Sequence, residues 1–93
     1  MSEKILTKHP DGKKGVNINY EKYLLVKNTI LDILKENPEI TYQEMNKKAI
    51  SRLKGHFEGS ISWYVVTVKL DLEARGIIQG IKKTSPHKLI LKS

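Results

Sequence analysis

The side chains that could do chemistry in this chain are few and scattered. The histidines are His9, His56 and His87. They lie far apart and in no metal-ligand spacing, so each reads as a turn or surface residue. Without cysteine there is neither a disulfide framework nor a thiolate metal site. Asp11-Gly12-Lys13-Lys14-Gly15 has the glycines and lysines of a phosphate loop. It lacks the spacing of a P-loop, which needs Gly, four residues, then Gly-Lys and a Ser or Thr, so a turn is the better reading. Asp71 and Glu73 share a predicted helix, but a separation of two residues puts them on different faces. No serine–histidine–acid set stands out. The expectation is a protein that is not an enzyme and has no cofactor, metal or small-molecule ligand.

What remains is charge. Lys and Arg number 17 against 10 Asp and Glu, a formal net charge of +7 over 93 residues. Residues 77–93 hold Lys82, Lys83, Lys88 and Lys92 and no acid. Residues 1–19 hold Lys4, Lys8, Lys13 and Lys14 against Glu3 and Asp11. Residues 38–60 hold Lys47, Lys48, Arg52 and Lys54 against Glu39, Glu44 and Glu58, while 20–37 and 61–76 are balanced. A basic surface attracts polyanions by releasing their counterions. A lysine-rich solvated face is the plainer alternative.

These charges must be carried by a small scaffold. The length fits one domain with a modest core. No apolar run approaches the roughly 20 residues that span a bilayer, and Met1–Thr7 does not read as a secretory signal. The cytoplasm is the expected compartment.

Residues 1–19 form an arm, with Ile5, Leu6, Val16 and Ile18 around the His9-Pro10-Asp11-Gly12 turn, and a loose hairpin is one form it can take. Residues 20–37 are the clearest helix, capped by Asn19 and ended by Asn37-Pro38. Its apolar face is Tyr23, Val26, Ile30, Ile33 and Leu34. After Ile40, Thr41-Tyr42-Gln43-Glu44 spells a capping box for a second helix running to about Lys54. Tyr42, Met45, Ala49 and Leu53 face inward there, and Lys47, Lys48 and Arg52 face out. The hydroxyls of Ser60 and Ser62 can cap a third helix, with Ile61, Val65, Val68 and Leu72 as its core face. Gly76 supplies its left-handed stop. Ile77-Ile78 opens a hairpin whose basic tip, Lys82-Lys83-Thr84-Ser85-Pro86-His87-Lys88, leads into Leu89-Ile90-Leu91. The fold class is therefore α+β: three helices, a C-terminal two-stranded β-wing and an N-terminal arm. A further strand is placed at Ile40 or in the arm.

Over residues 20–91 this order resembles the winged helix-turn-helix superfamily of bacterial transcription regulators. The nearest likeness is Leu72-Glu73-Ala74-Arg75-Gly76-Ile77-Ile78, similar to the end of a recognition helix leading into the first wing strand. With His9-Pro10-Asp11-Gly12-Lys13-Lys14-Gly15-Val16-Asn17-Ile18 in front, the pattern resembles a small uncharacterised bacterial winged-helix family. The resemblance implies a winged-helix domain over 20–93 behind the arm at 1–19, and DNA binding as an expectation. Winged helices also serve as protein-interaction modules.

The third helix argues against the simplest version of that expectation. In a helix-turn-helix it lies in the major groove and reads bases with polar side chains. Opposite its core face stand Trp63, Val66, Leu70 and Ala74, with Tyr64, Thr67 and Asp71 on one flank and Lys69 and Glu73 on the other. Three explanations fit the apolar stripe. The arm covers it with Ile5, Leu6, Val16 or Ile18; it is a homodimer interface; or Trp63 and Tyr64 touch bases or sugars. DNA contact then falls to Lys82, Lys83, His87 and Lys88 of the wing, Lys47, Lys48 and Arg52 of helix two, and the arm, with Tyr64 and Thr67 as the polar candidates of helix three. The rival class is a protein-interaction module that uses Trp63, Val66 and Leu70 and binds no nucleic acid.

Overall fold

The computed structural model describes residues 3–55, 57, 59–81 and 88–92. The first helix, α1 (Tyr20–Glu36), begins where the Asn19 side chain accepts from the Lys22 N–H. It ends at Asn37, whose extended backbone precedes Pro38. Before it, β1 (Lys4–Leu6) and β2 (Asn17–Asn19) pair antiparallel, with Ile5 opposite Ile18. Thr7 N–H to Val16 O and Tyr20 N–H to Glu3 O extend the pairing at its two ends. The arm is thus a formed hairpin with its turn at His9–Gly12, where the Gly12 N–H donates to His9 O and Gly12 has φ +74°.

Strand β3 (Ile40–Thr41) leads directly into α2 (Tyr42–Leu53). Both halves of the capping box form: Glu44 N–H donates to the Thr41 hydroxyl, and the Glu44 carboxylate accepts from the Thr41 N–H. Helix α3 (Ile61–Ala74) starts at Ser60, whose hydroxyl accepts from the Trp63 N–H. At its far end Gly76 takes φ +74°. There Gly76 N–H reaches Glu73 O and Ile77 N–H reaches Leu72 O, the paired bonds of a Schellman stop. Because the Ile77 N–H is committed to that stop, the next strand opens one residue later than the sequence suggests.

That strand is β4 (Ile78–Ile81), paired antiparallel with β5 (Lys88–Leu91). The expected two-stranded hairpin gains a third strand, because Ile40 pairs with Leu89 and Thr41 with Lys88, giving the order β3-β5-β4. The observed class is α+β, three helices with two small antiparallel sheets. The core combines Val26, Ile30, Ile33 and Leu34 of α1, Met45, Ala49 and Leu53 of α2, and Val65, Val68 and Leu72 of α3 with Ile18, Ile40, Ile78 and Leu89 of the strands. Ile61 and Tyr42, both expected inside, pack against this core only partly buried. Among the described residues no helix is long and apolar enough to cross a membrane.

Candidate functional site

Helix α3 organises the site, and the first finding concerns the residue that sequence periodicity set on its flank. Asp71 is completely buried, among the core residues rather than beside them. A buried carboxylate without partners is very costly, and Asp71 has a full set. Its Oδ1 accepts the Lys8 backbone N–H at 2.8 Å. The Tyr23 hydroxyl of α1 donates to Oδ2. Arg75, one turn further along, donates from Nε to both oxygens at 2.9 Å. Burial, then the hydrogen bond and charge of Asp71, hold the Tyr23 phenol well above its ordinary value. One carboxylate therefore ties the arm, α1 and the end of α3 together. The available signal was an acid next to Leu72 on the core face, with Arg75 four residues on and an inward Tyr on α1. Periodicity alone ranks such an acid as a flank residue.

The arm lies along this flank. Its residues 7–9 and 14–16 face Thr67 and Leu70 across a cleft of about 110 Å³. Thr7 is buried, and its hydroxyl accepts from the Val16 N–H at 3.0 Å. Gly15 is required here: a Cβ would sit 1.7 Å from the Thr7 carbonyl oxygen. Of the four arm residues expected to cover the stripe, Val16 reaches it, beside Leu70. Ile18 enters the core and Ile5 packs against it, while Leu6 points to solvent. Trp63 stays 44% exposed, so the arm flanks the Leu70 end of the stripe across that cleft and leaves the Trp63 end open. Val66 is half-buried between them.

At the start of α3, Tyr64 meets Phe57 edge-on at 4.7 Å and Trp63 at 5.0 Å. The Lys22 ammonium lies 5.3 Å from the Phe57 ring and 5.4 Å from that of Tyr64. Tyr64 and Thr67, expected to contact DNA, are therefore turned toward α1 and the arm. On the other flank Asn46 of α2 bonds Ser62. Lys69 pairs with Glu73 at 2.7 Å and lies over the Tyr42 ring. Lys69 of α3 and Arg75, the residue that caps its end, are thus both paired with acids of α3.

The basic residues of α2 divide. Lys47 and Lys48 are exposed. Arg52 instead bridges to Glu36 of α1 at 2.6 Å. That bond, more than any other influence, holds the Glu36 carboxyl below its ordinary value. Lys88 is half-buried at the start of the central strand β5, opposite both Thr41 and Ile81. Lys82, Lys83 and His87 lie outside the described residues, as does His56. Among the described residues no three His, Cys, Asp or Glu side chains form a group that could hold a metal ion.

Comparison with known proteins places the chain in a family of unknown function (DUF6958), whose model matches residues 4–89. The chain belongs to that family. No curated protein and no solved structure matches it.

Proposed function

For this member of the family we propose a cytoplasmic winged-helix DNA-binding protein, a transcriptional regulator that holds the duplex mainly through phosphates. The observation that carries the reading is the strand order. A short strand between the first two helices pairs with the last strand, giving β3-β5-β4 around a hairpin whose connection holds Lys82, Lys83 and His87. That arrangement supports a helix-turn-helix built from α2 and α3 with a wing behind it. The charges favour phosphate over base contact. Lys69 of α3 and Arg75 at its end are spent on Glu73 and Asp71. Exposed lysines stand instead on α2, at Lys47 and Lys48, and on the arm, at Lys8, Lys13 and Lys14. Arg52 contributes less, because phosphate contact would compete with Glu36. Phosphate contacts of this kind position a protein without selecting sequence.

The test is a labelled random-sequence duplex titrated at low and near-physiological salt, followed by fluorescence anisotropy. Affinity is expected to fall steeply with salt. The pairs Lys47→Ala with Lys48→Ala, and Lys82→Ala with Lys83→Ala, should each flatten that slope by about one per phosphate contact removed. Absence of binding at low salt overturns the reading.

A second reading rests on the exposure of Trp63 beside half-buried Val66 and Leu70. An open apolar stripe of this kind marks protein interfaces. On that reading the chain is an interaction module, self-associating or not, that leaves the duplex unbound.

A further inference from the structure

We propose that the cleft between the arm and α3 is a binding site for a small organic monoanion with an apolar body, of the size and chemistry of benzoate. The inference does not depend on DNA binding, although Lys8 and Lys14 of the arm belong to both surfaces. The cleft's volume, about 110 Å³, suits a molecule of that size. Its walls divide by chemistry. Leu70 and Val16 supply apolar surface, and Thr67 adds a hydroxyl. Lys8 and Lys14 stand at the rim, and no acid is among the lining residues. His9 also lines the cleft, its ring held by the Asp11 N–H, which donates to Nδ1 at 3.2 Å.

The nearest acid in sequence, Asp71, is closed to a ligand. Its carboxylate is completely buried and bonded to Lys8 N–H, the Tyr23 hydroxyl and Arg75. That same bond fixes the Lys8 backbone, so its ammonium is tethered from a held point and less ordering is needed on binding. Gly15 lets the opposite wall close on Thr7. Two other open depressions among the described residues do not combine these features. The one by Leu34 and Pro38 has Lys35 as its single cation, and the one by Gly76 and Gln79 sets Glu73 against Lys92. The site is not legible in the sequence because its two walls are about fifty residues apart and meet only when the arm is seated.

The experiment is a chemical-shift titration of the 15N-labelled full chain with sodium benzoate. Benzamide, of the same shape without the charge, and sodium chloride at matched ionic strength are the controls. Benzoate should give saturable shifts at the arm amides, Thr67 and Leu70, with benzamide at least about tenfold weaker. Lys14→Glu, at an exposed position, should weaken benzoate about tenfold at an unchanged Tm. Leu70→Trp, filling the cleft, should abolish saturation. Shifts that benzamide or chloride reproduce, shifts spread over Lys47 and Lys48, or full affinity in Lys14→Glu would each overturn the site.

Discussion

The two small sheets of this molecule are held in opposite ways. The C-terminal sheet is seated by apolar side chains: Ile40, Ile78 and Leu89, one from each strand, enter the core. The N-terminal hairpin sends one fully buried apolar residue there, Ile18, and closes its other end with polar bonds. Thr7, Gly15 and Val16 lock its strands, and Asp71 holds it at Lys8. Hydrophobic burial is non-directional and tolerates adjustment. A buried carboxylate needs every partner in place. The hairpin is therefore the part of the fold that one substitution can release.

Asp71→Ala is the strongest way to break the contrast. It strands the Tyr23 hydroxyl, the Lys8 N–H and the Arg75 guanidinium. Removing one partner of a buried charged pair costs about 3–5 kcal/mol. Urea unfolding should register that loss, and amide exchange should quicken at Thr7 and Lys8 before it quickens in β4 and β5. Equal protection loss in both sheets would mean that the hairpin has no separate anchor.

A matched pair of glycine substitutions sharpens the comparison. Gly15→Ala places a Cβ against the Thr7 carbonyl, and overpacking of this kind costs about 1–3 kcal/mol. Gly80→Ala, in β4, meets nothing within 4 Å and should stay within about 0.5 kcal/mol of the parent. Similar costs at both positions would contradict the difference between the sheets.

Tyr23→Phe removes one bond to Asp71 and should cost about 1–3 kcal/mol. It also has a pH signature. Burial, with the bond to Asp71, raises the Tyr23 phenol above its ordinary 10.0. The folded chain then keeps a proton that the unfolded chain releases above pH 10. Stability from this group is complete below that pH and is lost as pH rises toward the folded value. Urea midpoints measured across the alkaline range should fall in the parent and fall less in Tyr23→Phe.

The smallest effect is expected at Trp63→Glu. The side chain is 44% exposed at the end of the stripe that the arm leaves open. Stability should change by about 0.5 kcal/mol or less, so sedimentation of parent and variant reads the interface directly. A dimer broken by this change favours the interaction module, and a monomer in both removes homodimerisation.

The helices and the C-terminal sheet were legible because their signals are local or periodic. Asn19, Thr41 with Glu44, Ser60 and Gly76 mark ends, and all four act at those ends. The inward faces of α1 and α2 follow from 3.6-residue spacing, with Tyr42 less buried than the pattern implies. The partner of Ile40 and the path of the arm were less legible, since both depend on pairings distant in sequence. Asp71 was misplaced on a flank because hydrophobic pattern assigns acids to solvent. Its burial depends on Tyr23, Arg75 and the Lys8 backbone arriving together. Trp63 and Leu70, read as one stripe, part company for the same reason: the arm flanks one end only.

The central claim is that DNA is held by the exposed lysines, while the Thr67–Leu70 side of α3, which faces the arm, does not touch the duplex. The most direct measurement is amide and side-chain shift mapping of the labelled chain against a random-sequence duplex at low salt. The account predicts perturbation at Lys47, Lys48, Lys88 and the wing, with Thr67 and Leu70 unmoved. Perturbation centred on Thr67, Leu70 and Trp63, with Lys47 and Lys48 silent, would contradict it.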